Sequence, residues 1–163
     1  MGEHSHRAAA EKWFNRVLPL LPTEEVERTG GYFSFYSLTD IGDGPVYSIT
    51  GFRVGTVPTE KEDRYRTFSA EKLLRLSMYP RHKSSFESQD PANNQWPGAV
   101  RGKEYLRSFS GLPWKGDEAI SLACAVDGGD LTSIEALDIA TTSGNEIYRS
   151  LCDQYEELRA PLP

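Results

Sequence analysis

Two segments in the first third of the chain show the residue alternation of β-strands. In residues 31–40, Phe33 and Phe35 alternate with smaller or more polar side chains, and residues 46–54 have a similar composition. The run DIGDGP between them is rich in residues that tolerate tight turns. Aromatic and β-branched residues on either side of a turn predict an antiparallel hairpin. The fold must therefore contain a sheet.

Helical spacing surrounds this hairpin. Residues 5–18 carry apolar side chains three and four positions apart, and Pro19 ends the pattern. Residues 59–79 begin with Thr59 and Glu62 at the spacing of a capping box. The positions predicted to face the core in this second helix are Ala70, Leu73, Leu74 and Ser77.

The second half of the chain is less regular. Residues 80–104 lack periodicity and are predicted to form a long irregular segment. Residues 105–114 indicate a strand that ends in a turn. Residues 116–126 are predicted as a second strand in the middle of the sheet, because larger apolar residues alternate there with small ones. One long helix is predicted from Thr132 to Leu158.

This order of elements predicts a single α+β domain over residues 1–163, with a central antiparallel sheet and helices packed on it. Residues 1–7 are predicted to be a frayed tail. The terminal helix is the expected dimerisation element, through Leu137, Ile147 and Leu151.

Charge and composition exclude several function classes. The formal net charge is -6 and the pI is near 5.1, whereas a general nucleic-acid binder needs a basic face. The polar start MGEHSHR is unlike a secretory signal, and no apolar run is long enough to span a membrane. Two cysteines, Cys124 and Cys152, favour reduced thiols over a disulfide framework. We expect a cytoplasmic protein that binds neither nucleic acid nor a membrane.

Metal and nucleotide motifs are absent from the sequence. The glycine pairs lack the spacing of phosphate-binding loops. His4 and His6 fall in the predicted tail, which leaves His82 as the histidine inside the domain, and a transition-metal site needs several such ligands.

Catalytic motifs are equally weak. Ser69 and Lys72 have the S-x-x-K spacing of serine acyl-enzymes, but the accompanying S-D-N and K-T-G elements are missing. Acidic pairs such as Asp117 and Glu118 are predicted to lie in turns or at solvated helix ends. The sequence therefore predicts no catalytic residue and no metal ligand.

The candidate ligand-binding residues cluster around the irregular segment. Arg81, His82 and Lys83 form a basic group in an acidic chain, and Trp96 and Arg101 follow. Arg53 closes the second predicted strand. A cleft lined by Arg53, His82, Trp96 and Arg101 would suit an acidic or planar small molecule.

Two stretches resemble the small haem-binding and haem-degrading-type domains, a family that includes glycolate-utilisation accessory proteins. They are GPVYSITGFRVGTVPTEKEDRYRTFSAEKLLRL, with Ala70 and Lys72 at comparable helix positions, and FSGLPWKGDEAISLACAVDGGDLTSIEALDIA. Ser121 and Asp127 depart from that family's glycine and serine. The resemblance makes haem a candidate ligand.

The run YLRSFSGLPWKGDEAISLACAV followed by a helix also resembles the end of a GAF domain, a sensory module. Both resemblances imply a profilin-like or GAF-like sheet with a binding pocket.

Three functions stay open on these grounds. The first is a non-catalytic domain that binds or senses a small molecule and forms a homo-oligomer, most simply a dimer. The second is a scaffold whose Tyr32, Tyr36, Tyr47 and Phe52 form an aromatic interface on the sheet. The third is an enzyme of unrecognised type that uses His82 as a general base.

Overall fold

The computed structural model describes residues 2–22, 28–38 and 49–159. Five α-helices and four strands follow one another in this part of the chain. They are α1 (Glu3–Val17), β1 (Gly30–Ser37), β2 (Thr50–Gly55), α2 (Thr59–Ser77), β3 (Ala99–Arg101), β4 (Tyr105–Ser110), α3 (Trp114–Asp127), α4 (Ser133–Ser143) and α5 (Glu146–Gln154). Short 3-10 turns cover Leu18–Leu20, Ser85–Ser88, Pro91–Asn93 and Glu156–Leu158.

The four strands form one antiparallel sheet in the order β2-β1-β4-β3. Side chains alternate between its two faces. Phe33, Phe52 and Phe109 lie on the face that α1 and α3 cover, in the main core cluster. Leu106 and Ala99 lie on the other face, against α2. The sheet is therefore enclosed between helices, and the predicted α+β class is confirmed.

The predicted hairpin and the two helices flanking it are confirmed in outline. β1 pairs with β2 from Gly30 opposite Gly55 to Phe35 opposite Thr50. The turn predicted at residues 40–45 lies outside the described residues. The Thr59 capping box is wrong, because α2 has Pro58 as its N-cap and no side chain caps it.

The predicted tail is wrong from Glu3 onward, where α1 begins. His6 is 2% exposed, and its ring stacks on Phe35 at 3.8 Å between centroids. His6, Ala10, Trp13 and Val17 are spaced as one helix face, so the buried stripe of α1 reaches one turn further toward the N-terminus than predicted.

The strand predicted at residues 116–126 is wrong, since these residues belong to α3. Both faces of this segment are buried, so apolar residues fill it without a period that distinguishes a strand from a helix. Asp117 and Glu118 are consequently not in a turn but in the first turns of a buried helix, 3% and 0% exposed.

The prediction of one long terminal helix is also wrong, because the helix is interrupted between α4 and α5. The capping box of Thr132 and Glu135 is confirmed at the start of α4, which Gly144 ends in a left-handed conformation. Glu118 of α3 holds this break, accepting hydrogen bonds from Ser143 Oγ at 2.6 Å and Asn145 Nδ2 at 2.8 Å.

Most of the residues expected to form a dimer interface are buried in the core of this chain. Ile147 and Leu151 of α5 belong to the core, whereas Leu137 of α4 is 44% exposed. Homo-oligomerisation itself stays a prediction.

The irregular segment contains more structure than predicted. β3 lies within it and pairs with β4, and 3-10 turns precede it. Arg75 of α2 ties the segment down, because its guanidinium donates to the backbone oxygens of Ser85 and Ser88 at 2.9 Å and of Trp96 at 2.5 Å.

Candidate functional site

A cavity of about 430 Å³ opens where β4 leaves the sheet and α3 begins. Its walls come from α2, the segment around Trp96 and the turn before α3. The lining residues are Arg28, Lys61, Arg64, Tyr65, Phe68, Lys72, Asn94, Trp96, Ser110, Gly111, Leu112, Pro113, Trp114 and Asp117. We call this space the α2–α3 cavity.

The turn that brings α3 to the cavity depends on Gly111. Its φ is +146°, and a Cβ there would lie 2.6 Å from the Cα of Gly31. Only glycine combines this backbone conformation with such close approach to β1. The turn then brings Trp114, the first residue of α3, into the cavity wall.

A buried ion pair lies at the floor of the α2–α3 cavity. Lys72 Nζ of α2 is 2.8 Å from Asp117 Oδ2 of α3, and the two side chains are 2% and 4% exposed. Lys72 also donates to the backbone oxygen of Phe109 at 2.9 Å. Asp117 Oδ1 accepts from the Leu112 N–H at 2.9 Å. The pair therefore joins α2, β4 and α3 at one point.

Burial dominates the titration of this carboxyl. Desolvation raises the pKa of Asp117 to about 6, although Lys72, the Leu112 N–H and Arg28 all favour the charged form. The Asp117 carboxyl is thus ionised at pH 7 but exchanges its proton close to neutrality.

Positive charge dominates the cavity above this floor. Besides Lys72, three basic side chains line it, and Asp117 is the one carboxylate among the lining residues. Lys61 and Arg64 are exposed on α2 at its mouth, and Arg28 donates to the backbone oxygen of Gly111 at 3.1 Å. Their concentration contrasts with the net charge of -6 on the whole chain.

Aromatic rings form much of the remaining wall. Tyr65, Phe68, Trp96 and Trp114 line the cavity, and Phe86 supports Trp114 with ring centroids 5.7 Å apart. Flat apolar walls beside basic groups suit an anion that carries a planar portion.

The four predicted site residues do not converge. Trp96 lines the α2–α3 cavity, whereas Arg53 lies on β2 with its side chain 62% exposed, 3.6 Å from Glu62. His82 and Arg101 line a second cavity of about 390 Å³, which also contacts Glu135. Whether any of these residues binds a ligand stays a prediction.

Arg101 and His82 have structural contacts of their own. The Arg101 guanidinium donates to the backbone oxygens of Leu76, Tyr79 and His82. It thereby fixes the C-terminal end of α2. The His82 ring stacks on Tyr79 at 4.7 Å. The enzyme hypothesis based on His82 remains untested.

The aromatic interface of the scaffold hypothesis is not formed as predicted. Tyr32 pairs with Arg53 in the sheet and Phe33 pairs with Phe52, so Tyr32 and Phe52 point to opposite faces. Phe52 is 4% exposed. Tyr47 lies outside the described residues.

Sequence reasoning missed the residues at the floor of the cavity. The buried face of α2 includes Ser69, Lys72, Leu73 and Leu76, so the prediction is confirmed for Leu73 and wrong for Ala70, Leu74 and Ser77, which are not buried. The sequence does contain one indication: Lys72 is three residues after Ser69 and four before Leu76, a spacing that puts the three on one helix face.

Ser69 itself contacts a different partner from the one that S-x-x-K chemistry requires. Its hydroxyl donates to Ser34 Oγ at 2.8 Å, while the Lys72 ammonium binds Asp117 and the Phe109 carbonyl.

Other site types are absent from the part of the chain that the structure describes. No three His, Cys, Asp or Glu side chains there are placed to hold a metal ion. None of the helices in residues 2–22, 28–38 and 49–159 has the length and apolar character to cross a bilayer. The resemblances to haem-binding and GAF domains stay predictions, and Tyr65 is the one lining residue of a kind that ligates haem iron. Comparison with protein-family models, curated proteins and solved structures finds no match to this chain.

Proposed function

We propose that this chain is a ligand-binding or sensing domain that takes a small anion with an aromatic or otherwise planar portion into the α2–α3 cavity. One observation carries the proposal: basic side chains and aromatic rings line the same cavity of about 430 Å³ in an acidic protein. That volume lies within the roughly 300–1,000 Å³ typical of small-molecule sites.

The positions of the basic groups support an orientation for the ligand. Lys61 and Arg64 are exposed at the mouth and would attract the anion as it enters, whereas Lys72 at the floor would face its negative group. The planar portion would lie between Tyr65 and the indole rings of Trp96 and Trp114.

Calorimetric titration with a pair of matched probes tests the proposal. 2-Naphthalenesulfonate carries a permanent negative charge, and 2-naphthalenesulfonamide is its neutral counterpart of nearly the same shape. We expect the sulfonate to bind more tightly, because only the sulfonate gains from the basic lining. No saturable binding of the sulfonate, or equal affinity for both probes, would contradict the proposal.

Two arginines on α2 provide a matched pair of variants. Arg64 lines the cavity, whereas Arg66 is paired with Asp63 outside it. Arg64→Gln should weaken sulfonate binding roughly two- to five-fold, the effect of one exposed charge, and leave sulfonamide binding unchanged. Arg66→Gln should change neither. Equal effects of the two substitutions would place the anion elsewhere.

A further inference from the structure

The Asp117 carboxylate at the floor of the α2–α3 cavity repels the anion that the basic lining of the cavity attracts. We infer that Asp117 determines the charge selectivity of the site, and that an anion binds there together with one proton, which the Asp117 carboxylate takes up. This inference rests on the proposed function, because it concerns the same cavity.

The geometry places the carboxylate within reach of any anion that approaches Lys72. Lys72 Nζ has three N–H donors, and its acceptors in the described part of the chain are Asp117 Oδ2 and the Phe109 carbonyl. An anion that used the third donor would lie only a few ångströms from Asp117, since the Lys72–Asp117 distance is 2.8 Å. Both side chains are almost fully buried, so water screens this approach poorly.

The bound anion and the Asp117 carboxylate would be two negative charges side by side in a buried site, which is strongly unfavourable. When like charges share a site, one of them is protonated, and the carboxyl already has a raised pKa of about 6 in the free protein. The charged groups that act on Asp117 are Lys72 from α2 and Arg28 from the segment before β1. When Asp117 takes up a proton, Lys72 loses its carboxylate counterion, so the floor becomes more basic.

Proton uptake has a direct consequence for affinity. Above the pKa of free Asp117, each unit of pH removes tenfold of the protonated form that the anion requires. Between pH 6.5 and 7.5 the association constant of 2-naphthalenesulfonate should therefore fall roughly tenfold. The sulfonate stays ionised throughout this range, so the probe itself contributes no proton.

Isothermal titration calorimetry at pH 6.5 and 7.5, in two buffers of different ionisation enthalpy, tests the inference. In the wild-type protein we expect the tenfold change and the uptake of close to one proton at pH 7.5. Asp117→Asn should bind the sulfonate at least as tightly as the wild type at pH 6.5, with no dependence on pH. Asp138→Asn, an exposed acid beside the second cavity, should keep the wild-type dependence.

The outcomes separate this inference from the proposed function. Sulfonate binding that does not change with pH and takes up no proton overturns the inference and leaves the proposed function standing. A pH dependence that survives in Asp117→Asn also overturns it, because another group must then titrate. Proton counting on the wild type needs no variant, so the test does not depend on Asp117→Asn folding. Failure of the sulfonate to bind at either pH defeats the proposed function itself.

Discussion

Removing the Lys72 ammonium tests the buried ion pair through the stability of the fold. In Lys72→Met the side chain keeps nearly its length, but Asp117 loses its cation and the Phe109 carbonyl loses its donor. A buried carbonyl without a donor costs about 1–3 kcal/mol. The destabilisation caused by the unpaired Asp117 cannot exceed the free energy of protonating it, since the carboxyl can take up a proton inside the folded variant. Starting from a pKa of about 6, that protonation costs about 1.4 kcal/mol at pH 7.

The two contributions predict a loss of about 2–4 kcal/mol in the free energy of unfolding at pH 7. The loss depends on pH, because the pKa of Asp117 in the folded variant lies above that of the wild type. The difference between the two proteins should grow by about 1.4 kcal/mol for each pH unit above 6, up to the variant's own pKa. Below pH 6 only the cost of the orphaned carbonyl should remain.

Urea denaturation followed by tryptophan fluorescence at pH 5.5, 7 and 8 measures these differences. Lys61→Met is the matched control, since it removes an exposed lysine of the same helix and should change stability by less than about 0.5 kcal/mol. A loss in Lys72→Met that is the same at pH 5.5 and pH 8 would refute the reasoning about Asp117.

Three further predictions concern other parts of the fold. Burial lowers the pKa of His6 to about 4, so the unfolded chain binds a proton that the folded chain does not, and stability is lost as pH falls. In urea titrations, the wild type should lose about 2–3 kcal/mol of its free energy of unfolding from this source between pH 7 and 4.5, and His6→Phe should not. Equal acid sensitivity of the two proteins would contradict this. Gly111→Ala should lower the melting temperature more than Gly129→Ala. Both glycines have positive φ, but a Cβ at Gly111 would meet backbone atoms at 2.6 Å, whereas a Cβ at Gly129 has nothing within 4 Å. Burial raises the pKa of the Cys124 thiol to about 12, so in Cys152→Ser a thiol reagent at pH 8 should label the protein only after unfolding.

The elements that could be predicted from sequence are those specified by local patterns. The alternation around Phe33 and the prolines that end helices act within a few residues, and the sheet hairpin and α2 follow from them. α3 could not be identified in this way. It is buried on all sides, so apolar residues occupy every face and the sequence lacks the period that would distinguish helix from strand.

The floor of the candidate site depends on contacts between distant parts of the chain. Lys72 and Asp117 are 45 residues apart, and they meet only because α2 and α3 reach the same end of β4. With α3 misassigned, Asp117 is expected in a turn or at a solvated end, so the sequence gives no reason to pair it with Lys72. Trp96 is conspicuous in the sequence as a large aromatic residue in a polar segment, and its role in ligand binding stays a prediction.

The attachment of Arg75 to the irregular segment bears on how fast the proposed ligand would enter the α2–α3 cavity. Arg75 does not line the cavity, but its guanidinium holds the Trp96 carbonyl and the backbone at Ser85 and Ser88 against α2. The conformational entropy of that wall is therefore lost during folding and not during association, which favours affinity through preorganisation. Entry should then be governed by diffusion and by the field of the basic mouth, not by a slow closure of the wall over the ligand.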